Sequence, residues 1–483
     1  MVSALAIDVG TTSIRTAIVG ADGDVTHEHR QRLGLTTPNP GEVELDAVEI
    51  AQLALELATR TLDDAGGADV VGITNQRATT IVFDPVTGAP VGPALGWQDL
   101  RTVIDCLVLQ GDGLRLAPNQ SATKVRWLVN HSGRASKDLR FATIETWLAW
   151  NLSNGTLHVT DRSNAGVNGL AAPGVEEWDQ HALNVLGIDP AMMPTIVDTM
   201  GNFGRATALP GAPMITALVG DQSASLFGLS CVTRGAKITF GTGAMLDMVR
   251  GSDGPDRMTR FASGCFPVVT RSHNHELVWG IEGIVLSAGA CIEWLRDDLG
   301  LIGDAEETES LAESVTSSDG VSFVPALSGL GTPQWDFGAR GGFFGITRGT
   351  TKAHMVRAVL EGIAQRGADL VDAAQRETGQ ALDEVRVDGG MSANRFLMRC
   401  LADFTGLRVA VSAQREATTR GAGLMALVAH GSLSLEDVEA LWSPSVVVAP
   451  SLSNDERARR RDEWAVLVSR VEKTIPELSA VEF

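Results

Sequence analysis

The stretch Ala4-Leu-Ala-Ile-Asp-Val-Gly-Thr-Thr-Ser-Ile-Arg-Thr-Ala-Ile-Val19 decides the fold. Leu5-Ala-Ile7 is a short apolar run, Asp8-Val-Gly-Thr-Thr12 is polar and holds a glycine, and Ile14-Arg-Thr-Ala-Ile-Val19 is rich in β-formers. This order predicts strand, turn, strand, and Ala21-Asp-Gly-Asp24 turns the chain once more. The theme returns in the second half. There, Gly235-Ala-Lys-Ile-Thr-Phe240 and Ala244-Met-Leu-Asp-Met-Val249 flank the tight turn Gly241-Thr-Gly243. A faint repeat of this kind predicts two similar α/β domains, each opening with a turn of phosphate size, and puts their boundary near residues 222–235.

Outward from these hairpins, a helix is expected over 46–65, with Leu45, Val48, Leu53, Leu55 and Leu57 on its buried face. A strand over 69–74 leads into Asn75-Gln-Arg77, and a hairpin joins 79–84 to 90–95. Helices follow over 123–130 and 143–151. A long helix is expected over 352–378, where Met355, Val356, Val359, Leu360, Ile363, Leu370 and Val371 recur at helical spacing. Thr350 or Thr351 caps its start and Gly379 ends it. A strand over 385–387, a turn at Asp388-Gly-Gly390 and a helix over 392–403 come next. The last helix, 455–471, carries arginines 457, 459, 460 and 461 among four acidic residues and reads as a solvated face.

At 483 residues the chain exceeds the roughly 250–300 at which a single core stops growing, which again argues for two domains. Its 39 basic and 59 acidic residues leave a net charge of −20, which argues against a nucleic-acid or anionic-membrane partner. Tyr is absent, so no chemistry can rest on a phenol. The five cysteines are scattered and the nine histidines show no ligand spacing, so neither a disulfide framework nor a zinc site is expected. His273 and His275 read as surface residues of a loop. No apolar run approaches the ~20 residues of a membrane span, and the first residues lack a basic signal-peptide start. A cytoplasmic protein is expected.

Three glycine-containing turns stand at strand ends: residues 8–12, 241–243 and 388–390. Glycine lets backbone N–H groups close on an oxyanion, and threonine adds a hydroxyl donor. Two such turns facing one another would hold a triphosphate from both sides. Neither the Walker nor the Rossmann glycine pattern occurs in its proper context, which disfavours those folds. Asp8, at the end of a buried strand, can hold Mg²⁺ through water or simply form an Asx-turn. Asp221, where the apolar run 214–219 breaks, can be a helix N-cap or a general base in an interdomain cleft.

Several blocks then carry a resemblance. They include Ala6-Ile-Asp-Val-Gly-Thr-Thr-Ser13, Gly72-Ile-Thr-Asn-Gln-Arg77, Gly96-Trp-Gln-Asp99, Ser121-Ala-Thr-Lys-Val-Arg-Trp127, Gly220-Asp-Gln222, Phe240-Gly-Thr-Gly243, Ala339-Arg-Gly-Gly-Phe-Phe-Gly345 and Val387-Asp-Gly-Gly390. Together and in order they resemble the FGGY carbohydrate kinases, and within that family the glycerol-kinase branch. The resemblance implies an actin-like ATPase fold, with two ribonuclease-H-like α/β domains, 1–228 and 229–483, around an ATP cleft. It also implies ATP- and Mg²⁺-dependent phosphorylation of a polyol or sugar hydroxyl. By position, Asp221 becomes the general base and Asp8 the Mg²⁺ organiser. Gly10, Thr11, Thr12 and Arg15 from one side, and Gly241, Thr242 and Gly243 from the other, become phosphate ligands. Gly289, Glu293, Gly390 and Asn394 line the adenosine pocket. Arg77, Trp97, Asp221 and Gln222 surround the acceptor. A homo-oligomer, dimer or tetramer, is implied as well.

The chain departs from that branch around the acceptor. Ala78 stands where a Glu usually follows the arginine, Asn119 where a Tyr is usual, and Met245 where a Phe is usual; Glu293 replaces a Gln. The phosphate machinery matches and the substrate grip does not, so an acceptor larger than glycerol is expected. The competing expectation is a nucleotide-binding regulator on the same fold, without catalysis.

Overall fold

Ser3–Val9 and Ser13–Gly20 pair antiparallel, with Asp8 opposite Arg15. In the computed structural model, which describes residues 2–481, this hairpin seeds one side of a thirteen-stranded sheet. Val25–Arg32 extends it at the edge, and Val70–Asn75 and Met214–Gly220 add parallel strands on the other flank. The second half repeats the scheme. Ala236–Phe240 pairs antiparallel with Ala244–Gly251, and that strand with Glu276–Val285. Glu384–Asp388 and Arg408–Ser412 then add parallel strands beside Ala236–Phe240. In each half the opening strand thus has an antiparallel partner on one side and two parallel neighbours on the other, so the hairpin echo in the sequence becomes a structural repeat. The halves differ further out. Val25–Arg32 follows directly in the first, while in the second Phe266–His273 comes before Glu276–Val285 in the chain and pairs on its far side. Helices cover the faces, so the parallel strands are buried on both sides and read as continuous apolar runs.

The two half-sheets meet at a single strand pair, Met200 with His273. His273 therefore does not lie in a free loop: it ends the Phe266–His273 strand, and its Nδ1 is 3.0 Å from the Met200 carbonyl.

The helix that closes each half packs on the other half. Ala417–His430, late in the chain, contributes Ala422, Leu424, Met425 and Ala426 to a cluster with Ala4, Ala6, Val70, Ala217 and Val219 of the first half. In return, Asp221–Gly228 places Ser223 Oγ 2.8 Å from the Val269 carbonyl and packs Leu226 on Val249 and Val278 of the second. The two helices cross at backbone contact. A Cβ on Gly228 would fall 1.9 Å from the Ala417 carbonyl oxygen, and one on Gly421 1.8 Å from that of Ala224. Glycine is required at both positions by this approach.

Most expected elements are present, with instructive differences. Ala47–Ala65 is capped by Asp46 and closed by Gly66, but Val48 is 43 % exposed and Ile50, Ala54, Ala58 and Leu62 take the buried face instead. Lys352–Thr378 starts from a Thr351–His354 capping box and ends at Gly379 in the left-handed conformation. A 3₁₀ turn, Gly390–Ala393, precedes the Arg395–Thr405 helix, which begins later than expected because Asn394 caps it. The last helix, Asn454–Val471, is not wholly solvated. It buries Trp464, Val468 and Val471, and Arg461 bonds Asp369 at 2.6 Å and Asp372 at 2.9 Å. Among the described residues, no helix is long and apolar enough to cross a membrane.

Candidate active site

Two neighbouring parallel strands deliver the first charged groups. Val70–Asn75 runs into Gln76 and Arg77, Met214–Gly220 runs into Asp221, and Gly220 is matched to Asn75. Strands in register lie ~4.8 Å apart, so residues just past the matched pair meet. Arg77 Nε is 3.3 Å from Asp221 Oδ1. The other arm of the guanidinium reaches the second half, where its Nη2 donates to Glu282 Oε2 at 2.5 Å.

Asp221 is not an N-cap. Gly220 holds that position without a side-chain bond, and Asp221 is the first helical residue, its Oδ1 accepting from the Gln222 N–H at 2.8 Å. Burial raises its pKa, against the pull of Arg77. Burial also pushes Glu282 up, to about 7, again opposed by Arg77. For Arg77 the effect of burial is outweighed by Glu282, Asp221 and Asp247, which hold it above its ordinary value, so it stays charged.

The second half supplies a floor of paired side chains. Lys237 faces Asp247, Thr239 faces Met245, and Asp247 faces Glu282 across three antiparallel strands. Residues directly opposite point to one face, so Lys237, Thr239, Met245, Asp247 and Glu282 share it. Lys237 Nζ, fully buried, lies 3.0 Å from Asp247 Oδ2 and donates to Gln222 Oε1 at 2.7 Å and Thr239 Oγ1 at 2.8 Å. Thr239 Oγ1 in turn donates to Asp388 Oδ1 at 2.5 Å, and Ser225 Oγ reaches Asp388 Oδ2 at 3.3 Å.

The first turn, closed by the Gly10 N–H on the Ser13 carbonyl at 3.0 Å, is also held by side chains. Asp8, nearly buried, accepts from Thr419 Oγ1 at 2.9 Å and lies 3.8 Å from Arg15. It makes no Asx-turn bond to backbone among the described contacts. Arg15 is also paired with Glu28 at 3.1 Å and with Glu416. Gln76 Nε2 donates to the Gly10 carbonyl at 3.3 Å, and Trp97 Nε1 to Thr11 Oγ1 at 3.3 Å. Buried Lys124 holds Trp97 from behind, with Nζ donating to the Gly96 carbonyl at 2.7 Å and that of Trp97 at 3.2 Å; burial lowers its pKa to about 7.

Backbone alone holds the second turn. Gly241 N–H donates to the Gly243 carbonyl at 2.9 Å, Ala288 and Ala290 donate to the Thr242 carbonyl, and Gly289 to that of Gly241. Thr12, Gly241 and Thr242 are exposed, although the Gly241 N–H and carbonyl are already paired within the turn and with Gly289. The adenosine-side candidates are less tightly gathered. Gly390 has open space beside its Cα and Glu293 is exposed. Asn394 uses its Oδ1 to cap Leu397 N–H and its Nδ2 to reach Thr308.

The three departures around the acceptor are placed as follows. Ala78 is buried at φ +61°, and its carbonyl accepts from Ser121 Oγ at 3.1 Å, which draws the segment bearing exposed Asn119 to its side. Met245 is half-buried, one matched pair from Asp247. Sequence reasoning quoted Asp388 and Lys124 within motifs without giving them a role, and it did not single out Glu282, Lys237, Asp247, Glu416 or Thr419. The Lys237–Asp247 pair was within reach, since a three-residue turn between two strands sets their register.

The donor set at the first turn fits a magnesium ion. Asp8 offers an oxygen of the hard type Mg²⁺ takes. Its pKa is raised to about 6 by burial, with Asp221 and Glu416 adding repulsion, so a cation relieves it. Among the described residues no cluster of three His, Cys, Asp or Glu could enclose a metal.

Comparison with known proteins gives a consistent result. Residues 3–228 match the N-terminal domain, and 236–430 the C-terminal domain, of the FGGY family of carbohydrate kinases. A glycerol kinase of Aromatoleum aromaticum is 40% identical, over 96% of this chain and 98% of its own. A crystal structure of Plasmodium falciparum glycerol kinase with ADP superposes with a TM-score of 0.90 at 26% identity, covering 100% of this chain and 99% of that one. A ligand-bound xylulose kinase from Lactobacillus acidophilus shares the fold, with a TM-score of 0.86 at 19% identity over 99% of both chains.

Proposed function

The chain belongs to the FGGY family of carbohydrate kinases and transfers phosphate from ATP to a hydroxyl of a small polyol or sugar; on that premise we propose that Asp221 is the general base and that the preferred acceptor is larger than glycerol. The observation that carries the first part is the placement of Asp221. Its carboxylate ends a buried strand, 3.3 Å from Arg77 and beside the charged floor of the other half.

Phosphoryl transfer depends on positioning and charge neutralisation more than on covalent chemistry. The acceptor hydroxyl donates to Asp221, which takes the proton as the acceptor oxygen bonds to the γ-phosphorus and the bond from that phosphorus to the bridging oxygen breaks, with ADP as the leaving group. Arg77 stays charged and orients the acceptor. Trp97, fixed by Thr11 and Lys124, and Gln222, fixed by Lys237, wall the pocket. Gly10, Thr11, Thr12 and Arg15 face the phosphates from one side and Gly241, Thr242 and Gly243 from the other. Gly289, Glu293, Gly390 and Asn394 serve the adenosine. Asp8 holds Mg²⁺ through water, and the ion, when bound, neutralises phosphate charge. We divide the chain into domains 1–228 and 229–483, joined by the crossed helices, and infer a cytoplasmic homo-oligomer.

The larger acceptor rests on Ala78. This residue follows Arg77 in the chain at the position where the resembled pattern has a carboxylate able to grip two hydroxyls, and Asn119 and Met245 replace rings with smaller or more flexible groups. A small ligand needs most of its hydroxyls paired to bind well. A four- or five-carbon polyol, a sugar or a sugar acid fills the space, the last pairing its carboxylate with Arg77. The test is ADP release under saturating MgATP with glycerol, erythritol, threitol, pentitols, ketopentoses and aldonic acids. The expected result is a kcat/KM maximum away from glycerol. A maximum at glycerol refutes the larger acceptor, and acceptor-independent ADP release refutes the assigned base.

A further inference from the structure

The residue before Asp221 is tied to a buried carboxylate on another element. Gly220 N–H donates to Ser163 Oγ at 2.8 Å. A hydroxyl that accepts there must send its own proton elsewhere, and Ser163 Oγ lies 2.5 Å from Asp161 Oδ2. The same oxygen accepts the Ser163 N–H at 2.7 Å, while Asp161 Oδ1 accepts from Asn164 Nδ2 at 2.7 Å. Asn164 then forms a reciprocal amide pair with Asn75, both bonds at 3.1 Å. Asn75 lies two residues before Arg77. Asp161, Asn164 and Asn75 are fully buried and Ser163 is 2 % exposed.

We propose that Ser163 and Asn164, both held by the carboxylate of Asp161, are positioning residues: Ser163 sets the base Asp221 through the peptide of Gly220, and Asn164 sets Arg77 through Asn75. The inference rests on the reading of Asp221 as general base. Three features go beyond what packing needs. The four-residue helix Arg162–Ala165 requires only the Asp161-to-Ser163 backbone cap, yet the hydroxyl and the amide are turned to two separate strand ends. The Asp221–Gly228 helix has no side-chain cap from its N-cap residue Gly220, so the Ser163 contact is the side-chain bond that holds the Gly220 peptide, beside its strand pairing with Asn75. There is also no slack beside it. A Cβ on Gly220 would meet Arg77 Cγ and Cδ at 2.7 Å, so a shift of this peptide moves base and arginine relative to one another. A misplacement of ~1 Å at a reacting group costs roughly 10²-fold in rate.

The experiment measures kcat, acceptor KM, ATP affinity and Tm for Ser163→Ala, made both in the natural chain and in Asp221→Asn, with the best acceptor of the panel above. The expected result in the natural chain is a kcat loss of roughly 10–100-fold, with ATP affinity and acceptor KM within about twofold. In the Asp221→Asn background the same change costs nothing further, because the group it positions is gone. Asn164→Ala is expected to raise acceptor KM roughly tenfold, with a smaller effect on kcat. An unchanged kcat in Ser163→Ala, or an equal loss in both backgrounds, overturns the Ser163 role; a kcat loss without a KM change in Asn164→Ala overturns the Asn164 role. Should Ser163→Ala not fold, Ser163→Cys keeps the volume with a weak hydrogen-bonding group and is held to the same outcomes. A natural chain inactive on every acceptor, or an Asp221→Asn variant with full turnover, refutes the kinase or base reading instead.

Discussion

The two glycine–threonine turns look alike in sequence and are built by different means. The turn at residues 8–12 has backbone bonds, Gly10 N–H to the Ser13 carbonyl and Leu33 N–H to that of Thr12, and is further fixed by side chains from distant parts of the chain: Thr419 on Asp8, Trp97 on Thr11 and Gln76 on Gly10, with Glu416 on the neighbouring Arg15. The turn at 241–243 is fixed by hydrogen bonds from the peptide N–H groups of residues 288–290, with no side-chain hydrogen bond among the described residues. A charge-held turn can be tuned by pH and by its partners. A backbone-held turn cannot be tuned, but it tolerates no added atom: a Cβ on Gly289 would lie 2.5 Å from the Gly241 carbonyl oxygen, and one on Gly243 2.5 Å from that of Val285.

Removing the proposed base, which belongs to neither turn, should have the largest effect. Asp221→Asn is expected to lower kcat by roughly 10²–10⁴-fold while ATP affinity, measured by calorimetry, stays near that of the natural chain. A parallel loss of ATP binding would mean that the turns depend on Asp221 and the comparison fails. Next comes the backbone-held turn. Gly289→Ala forces a carbonyl to move and should cost roughly 10²-fold in kcat/KM for ATP, with the acceptor KM little changed. An active Gly289→Ala enzyme would show the second turn to be softer than its contacts imply.

The charge-held turn makes a prediction about stability. Burial raises Asp8 from 3.8 to about 6, so the folded chain takes up this proton before the unfolded chain does. The contribution to stability is present below about 4 and is lost as pH rises through about 6. At about 1.4 kcal/mol per pKa unit, the ionised carboxylate costs on the order of 3 kcal/mol at pH 8. Asp8→Asn should therefore raise stability by up to that amount at pH 8 in unfolding experiments without magnesium. The gain should vanish near pH 4. No such pH dependence is expected for Thr242→Val in the other turn. The smallest effects come from the paired hydroxyls. Thr12→Val and Thr242→Val each remove one donor to a charged group, worth about 1.5–3 kcal/mol, and should lower kcat/KM for ATP roughly 10–150-fold. Equal losses would show that the phosphates load both turns alike, and a loss in only one would show which turn carries the transferring group.

Legibility follows the range of the forces involved. The Lys352–Thr378 helix was readable at both ends, because a cap at Thr351 and a left-handed Gly379 act within one turn of the chain. Asp8 and Asp221 were readable as candidates from where the apolar runs break, but their alternative local roles were not separable. Only the contacts to Thr419 and Gln222 and the cap at Gly220 remove the Asx-turn and N-cap readings. Val48 was assigned to a buried face because hydrophobicity alone was counted, whereas the packing direction of that helix is set by the strands beneath it. The departures at Ala78, Asn119 and Met245 were visible at once; the left-handed backbone of Ala78 was not.

By itself the sequence determined the two hairpins, their turns, most helix limits and the membership of the chain in its family. The hairpins, turns and helix limits rest on periodicity, capping and turn chemistry, all acting over a few residues, while the family rests on the resemblance of motifs in order along the chain. Tertiary structure alone decided which charges meet. Arg77 finds Glu282 across 205 residues of chain, and Arg15 finds Glu416 across 401. It also decided that the helix closing each half packs on the other, and that Arg461 leaves a polar face to bond Asp369 and Asp372. The physical reason is that a pairing between buried ions depends on strand register and on how two half-sheets are set against each other, and no local pattern encodes that distance.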